Sequence, residues 1–144
     1  MSVKFQSMKH LKISAPPKGD GLEIMLNKQK EINSRIYENV LNKIGYKDSH
    51  YDLIGFSDDE KESLSKEYLL AIMRECVEAL DLINSKPWKQ SKIEVDEVEF
   101  KYELIDIQHF INTLYDVWGM DRNEVLSFYI SKNKENHARV SRKY

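Results

Sequence analysis

Two acidic pairs constrain this chain more than any other feature: Glu75-Cys76-Val77-Glu78 and Glu103-Leu104-Ile105-Asp106. Each pair has i,i+3 spacing inside a run that reads as a long amphipathic helix. Residues three apart share a helix face, so each segment offers two carboxylates side by side. Twenty-four residues separate Glu78 from Glu103, enough for one helix to end, turn and return. If the two helices pack together, four carboxylates converge. Four such charges cannot share a half-buried site without a positive partner. An all-oxygen donor set suits Mg²⁺, one ion or more. The expectation is metal-assisted chemistry on phosphates.

The remaining sequence fits a helical domain able to carry such a site. Five glycines and three prolines in 144 residues leave room for long uninterrupted elements. That length is one domain by the usual prior and can bury a core without staples. A net charge of −2 argues against a general nucleic-acid binder. No apolar run approaches the roughly 18 residues of a membrane span, so no membrane partner is expected. Cys76 is the single cysteine, which excludes an intrachain disulfide and suits a reducing compartment. With no signal-peptide core at the N-terminus, the expected location is cytoplasmic.

In chain order, residues 1–20 read as a short extended or disordered arm ending at Ala15-Pro16-Pro17-Lys18-Gly19-Asp20, with a short strand conceivable at residues 3–5 or 11–13. Residues 21–144 read as one all-α domain, a bundle of about four main helices. The first helix is expected over Leu22–Ile44, stopped by Gly45. Gln29 and Asn33 fall within its apolar stripe at i,i+4. Either they sit at the margin facing water, or they form a buried amide pair that must find partners. Amides carry donors and acceptors, which suits reading a nucleobase edge. A surface-packed loop is expected over 45–57. Ser57 and Glu60 have capping-box spacing and open a second helix, expected over Asp58–Asn84. Cys76 reads as core filler, since nothing nearby activates a thiol.

Asn84-Ser85-Lys86-Pro87-Trp88-Lys89 breaks that helix. Trp88 is either a plug over the helix end or a stacking platform for a base, with a lysine reaching phosphate. The third helix is expected over Glu94–Trp118, ended by Gly119. Asp121 then caps a fourth, with Glu124 at capping-box spacing. That helix turns basic, and Lys132, Asn136 and Arg139 share one face. They form either a solvated tail or a phosphate clamp. Asp106-Ile107-Gln108-His109 also has the acid-x-x-His spacing of di-iron bundles, but such sites need a second copy, which Glu75–Glu78 does not supply. His109 reads instead as a packing residue or a partner behind the metal ligands. No Walker loop, Ser/His/Asp series or zinc spacing is present.

These residues together resemble the dimeric, all-α dUTPases, within the wider MazG-like all-α NTP pyrophosphatase superfamily. Glu75, Glu78, Glu103 and Asp106 match its Glu-x-x-Glu and Glu-x-x-Asp. Gln29 and Asn33 resemble its uracil-reading amides, Trp88 its base-packing aromatic, and Lys89 a neighbour near phosphate. Asp106-x-x-His109-Phe110 looks like its Asp-x-x-His-Phe. Lys132, Asn136, Arg139 and Tyr144 resemble its C-terminal phosphate- and sugar-binding segment. The resemblance covers about residues 22–144. Arg74 stands where some relatives have a glutamate, and the residues around Val140 and Ser141 differ from the family's continuation. The chain's compactness points to a phage or prophage form.

The resemblance implies Mg²⁺-dependent hydrolysis of dUTP to dUMP and pyrophosphate, which limits uracil in DNA and supplies dUMP. It implies two or more Mg²⁺ ions on Glu75, Glu78, Glu103 and Asp106, and attack by an acidified water on the α-phosphorus with Glu75 orienting or deprotonating it. Lys132, Asn136 and Arg139 would stabilise the leaving group. A homodimer is expected, because the apolar faces exceed what one bundle can hide. Two other readings remain at this stage: a related pyrophosphatase for another base, such as dCTP or a modified nucleotide, and a non-catalytic helical interaction protein.

Overall fold

The computed structural model describes residue 8 and residues 10–43 and 57–142, with the backbone alone for 37–43. It contains four helices in order: α1 (Gly21–Lys43), α2 (Asp58–Asp81), α3 (Glu97–Val117) and α4 (Arg122–Ser141). No strand occurs among the described residues. The first possible strand, the 45–56 loop and Tyr144 lie outside the described residues, while Leu11–Ile13 is not a strand.

Caps decide the helix ends. Ser57 accepts from the Glu60 N–H, and the Glu60 side chain returns a bond to the Ser57 N–H, completing the capping box. Asp121 accepts from the Glu124 N–H at 2.9 Å and opens α4. Gly119, at φ 66°, ends α3. Met120 N–H reaches the Tyr115 carbonyl at 2.8 Å and Gly119 N–H the Asp116 carbonyl at 3.0 Å, the pairing of a Schellman stop.

Two boundaries differ from the sequence reading by more than one residue. α2 stops at Asp81, three residues short of Asn84, because Asn84 is used elsewhere. Its amide donates to the Ile93 carbonyl at 3.1 Å and accepts the Ile93 N–H at 2.9 Å, closing the α2–α3 connection. α3 starts three residues later than expected, at Glu97, because Asp96 caps the Glu99 N–H.

α3 is the central element. α2 packs along it most extensively, α1 packs along it as well, and α4 meets α1. The N-terminal arm is tied down at two points. The Met8 N–H donates to both Glu99 oxygens, at 2.8 and 3.0 Å. Asp20 holds the Arg122 guanidinium at 2.9 and 2.7 Å, anchoring the start of α4.

Burial is inverted relative to an ordinary bundle. Among the described residues the buried apolar side chains are Leu26, Ala79, Val117 and Val125, while Gln29, Asn33, Glu99, Glu103, Asn112, Thr113 and Asp116 are buried polar ones. The apolar face expected on α2 from Leu64, Tyr68, Leu69, Ile72, Met73, Cys76, Leu80 and Ile83 is half open in the single chain: Leu69 and Leu80 are exposed and Met73 is 64% exposed, and Leu70 and Val77 beside them are exposed as well. Cys76, expected in the core, is exposed too. The periodicity marked an apolar face, but half of it is left uncovered by the described residues.

Candidate active site

α2 and α3 run side by side, which brings their acidic pairs into register. Oxygens of Glu75, Glu103 and Asp106 all lie within 4.8 Å of one another. Glu78 stands just outside this trio, yet its charge bears on both Glu75 and Glu103. Glu103 is only 5% exposed. Its Oε2 is a buried oxygen with no hydrogen-bond donor. Orphaned acceptors of this kind are rare in a settled interior and call for a positive partner.

The electrostatics agree. Burial, then the charges of Glu78, Asp106, Glu75 and Glu99, push the Glu103 carboxyl up to about 7. Burial and then the Glu78 and Asp106 charges raise Glu75, and burial raises Asp106. A divalent cation would relieve these costs at once. The donors are all carboxylate oxygens, which fits a hard ion such as Mg²⁺.

Beside the carboxylates lies a mostly apolar cleft of about 270 Å³. Glu75 and Asp106 form part of its wall, with Gln29, Tyr68, His109 and Phe110 around them. The Tyr68 and Phe110 rings meet at 6.0 Å between centroids, tilted by 37°. The cleft therefore offers an apolar body, the amides of Gln29 and Asn33 and one imidazole next to a metal-ligand set.

Of the two sequence alternatives for Gln29 and Asn33, the buried amide pair is the one observed. Gln29 is 5% exposed and Asn33 1%. Gln29 Nε2 donates to Asn33 Oδ1 at 3.1 Å, and Asn33 Nδ2 donates to Asp116 Oδ2 at 2.9 Å. Gln29 Oε1 meets His109 Nδ1 at 2.6 Å. Thr113 Oγ lies 3.2 Å from Asn33 Oδ1 and 3.0 Å from the His109 carbonyl, sharing its proton between two acceptors.

Asp116 and Thr113 carry no role in the sequence reading of the site. A signal existed: positions 106, 109, 113 and 116 step by three, four and three, one continuous helix face.

The other candidates lie apart from this cluster. Trp88 is 78% exposed on the α2–α3 connection. Lys89 borders a separate hollow of about 410 Å³ with Lys86 and Lys92. Neither Trp88 nor Lys89 lines the cleft formed by α1, α2 and α3. Lys132, Asn136 and Arg139 are exposed along α4, and Arg139 pairs with Glu135 at 3.1 Å on its own helix.

Comparison with known proteins bears on what this site is. The family model described as dUTPase matches residues 21–116, which span α1 through α3 and hold the acidic cluster and the Gln29–Asn33–Asp116 network. The chain belongs to the dUTPase family. That family membership and the helical fold make it a dUTPase-like nucleoside triphosphate pyrophosphatase. It is 27% identical over 143 residues to the dCTP pyrophosphatase of Enterobacteria phage T4, covering 87% of this chain and 83% of the relative. It is 37% identical over 70 residues to the dCTP pyrophosphatase of Enterobacteria phage LZ5, covering 41% of each. A DNA replication protein of phage T4 is 27% identical over 133 residues, 80% of this chain and 34% of that protein. All three are phage proteins, in line with the expectation of a phage-type form. No solved structure matches the chain.

Proposed function

We propose that the protein hydrolyses a pyrimidine deoxynucleoside triphosphate to the monophosphate and pyrophosphate, with dCTP as its principal substrate. The observation that carries the reaction is the trio of Glu75, Glu103 and Asp106 closing within 4.8 Å beside a cleft walled by the Gln29 amide. The choice of base rests on the two phage relatives named dCTP pyrophosphatases. The sequence reading put dUTP first and dCTP as its alternative. The relatives favour the alternative, while the matching family description keeps dUTP as the second reading.

In this reading Glu75, Glu78, Glu103 and Asp106 hold Mg²⁺. When bound, the ion neutralises charge on the phosphates and acidifies the attacking water. Glu75, the trio member that shares the cleft wall with Asp106, accepts the proton of that water. Phe110 and Tyr68 exclude water from the base, and Gln29 meets its polar edge. Trp88 and Lys89, on the α2–α3 connection, would reach the nucleotide only if that connection closes over it. Lys132, Asn136, Arg139 and Tyr144 would meet the phosphates if α4 comes from a second copy.

A homodimer is part of the proposal. Leu69, Leu70, Met73, Val77 and Leu80 leave an apolar α2 face open to water. A second copy of this chain, carrying the same face, is the occupant it fits. The proposed location remains the cytoplasm; no described helix is long and apolar enough to cross a membrane.

The deciding experiment is product analysis with purified protein, Mg²⁺ and a panel of dCTP, dUTP, dTTP and UTP, run beside Glu103→Gln. Release of dCMP and pyrophosphate, lost in the variant, is the expected result. Turnover of dUTP with dCTP left intact would reverse the base assignment and keep the reaction. A folded, Mg²⁺-supplied protein that turns over no triphosphate would leave a helical interaction protein.

A further inference from the structure

We propose that Asp116, buried at the far end of the amide network, sets which way the Gln29 amide faces and thereby which pyrimidine the cleft accepts. The inference deepens the functional reading above and rests on Gln29 meeting the base.

The argument is one of donors and acceptors. An amide side chain can face either way with almost the same shape, so a buried amide alone does not specify a base. An ionised carboxylate cannot donate. Asp116 Oδ2 lies 2.9 Å from the Asn33 amide, so Asn33 must turn its NH₂ toward Asp116. Its carbonyl oxygen then points back at Gln29, 3.1 Å away, and Gln29 must answer with its own NH₂. Gln29 Oε1 is left facing His109 Nδ1 at 2.6 Å, so that ring nitrogen must carry the proton. Thr113 Oγ, 3.2 Å from the same Asn33 oxygen, is compatible with this direction without fixing it, since a hydroxyl can also accept.

One charge thus orders three side chains in sequence, from a position 83 residues away from Asn33 in the chain to the wall of the cleft. Cytosine and uracil differ by exchanging a donor for an acceptor along one edge. A reader whose polarity is locked rejects the wrong base because a buried group would be left unpaired. A reader free to flip accepts both. Asp116 is therefore a positioning residue. It acts through Asn33, Gln29 and His109.

The test compares the wild-type protein, Asp116→Asn, and the exchange Asn33→Asp with Asp116→Asn. An asparagine at 116 can offer either an oxygen or an NH₂, so the single variant unlocks the network. In the exchange, the carboxylate at 33 is again acceptor-only toward Gln29, so polarity returns. The expected kcat/KM ratio between dCTP and dUTP falls by about tenfold or more toward unity in the single variant and recovers in the exchange. The second readout needs no turnover: ¹⁵N spectra of the His109 ring in metal-free protein. They should show Nδ1–H in the wild type, a tautomer mixture in the single variant, and Nδ1–H again in the exchange. A role limited to stability would move the melting temperature and neither readout. A wild-type ratio near unity, an unchanged ratio in the single variant, or a wild-type His109 protonated on Nε2 would overturn the proposal. If no triphosphate is turned over, the functional reading fails, and the His109 spectra still decide whether Asp116 orders the network.

Discussion

Asn84 grips Ile93 across the α2–α3 connection, donating to its carbonyl at 3.1 Å and accepting its N–H at 2.9 Å. One side chain thereby does for the backbone what a two-residue ladder would do. Replacing Asn84 with alanine removes both bonds and should cost about 1–2 kcal/mol, softened by the exposure of the pair. The connection carries Trp88 and Lys89, so the variant should also raise KM for the triphosphate more than it lowers kcat. Urea denaturation and steady-state kinetics check the two effects.

Glu103 presents the opposite case, a residue whose loss should stabilise the fold. Its carboxyl is crowded by Glu75, Glu78, Asp106 and Glu99, and one oxygen has no donor. Glu103→Gln removes a charge from that crowd without changing its shape. The metal-free variant should melt about 2–4 °C higher than the wild type, a gain of about 1 kcal/mol. Its Mg²⁺ affinity should fall at least tenfold by isothermal titration calorimetry. A variant that melts lower, or binds Mg²⁺ as before, would contradict the crowding argument.

The same carboxyl fixes a pH dependence. Its folded value is raised from 4.5 to about 7, so between those limits the folded state holds more protons than the unfolded one. Stability of the metal-free protein should therefore fall as pH rises from about 4.5 to about 7. Glu75, Asp106 and Asp116, all raised mainly by burial, add to the same slope. Asp20 and Glu97 are lowered by Arg122 and Lys101, and their opposing effect belongs below the ordinary carboxylate range. Saturating Mg²⁺ should flatten or reverse the trend, because the ion replaces the proton. Thermal melts across that window, with and without Mg²⁺, test the sign.

The open α2 face makes a prediction about assembly. Met73→Lys places a charge in the middle of the exposed apolar group formed with Leu70 and Val77. Sedimentation velocity should show the wild type as a dimer at micromolar concentration and the variant shifted at least tenfold toward monomer. A wild-type monomer at that concentration would refute the pairing of copies through this face.

Much of the fold was legible because its boundaries are written in side chains that act locally. Ser57 with Glu60, Asp121 and Gly119 each mark an end through bonds reaching only three to five residues. The acidic pairs were legible for the same reason, since i,i+3 spacing on two helices predicts a shared face. The misplaced ends have distant causes. Nothing within α2 reveals that Asn84 is drawn off by Ile93, and the apolar run through Leu82 and Ile83 continues the helical pattern. Asp116 carries no local signal that would single it out in the sequence. Its partner Asn33 is 83 residues away, and only packing of α1 on α3 gives it meaning. Cys76 was misread because periodicity tells that a face is apolar and not what covers it.

The inverted burial has a calorimetric consequence. The heat capacity released on unfolding grows with apolar surface newly wetted and shrinks with polar surface newly wetted. Here the described interior of the lone chain is dominated by amides, carboxylates and a hydroxyl, while leucines and methionine on α2 already face water. A dissociated chain should accordingly unfold with a heat-capacity increment well below the roughly 12–15 cal/mol/K per residue usual for globular domains. Its stability curve should be flatter than usual, without a marked cold limb, and the usual curvature should return only when copies associate.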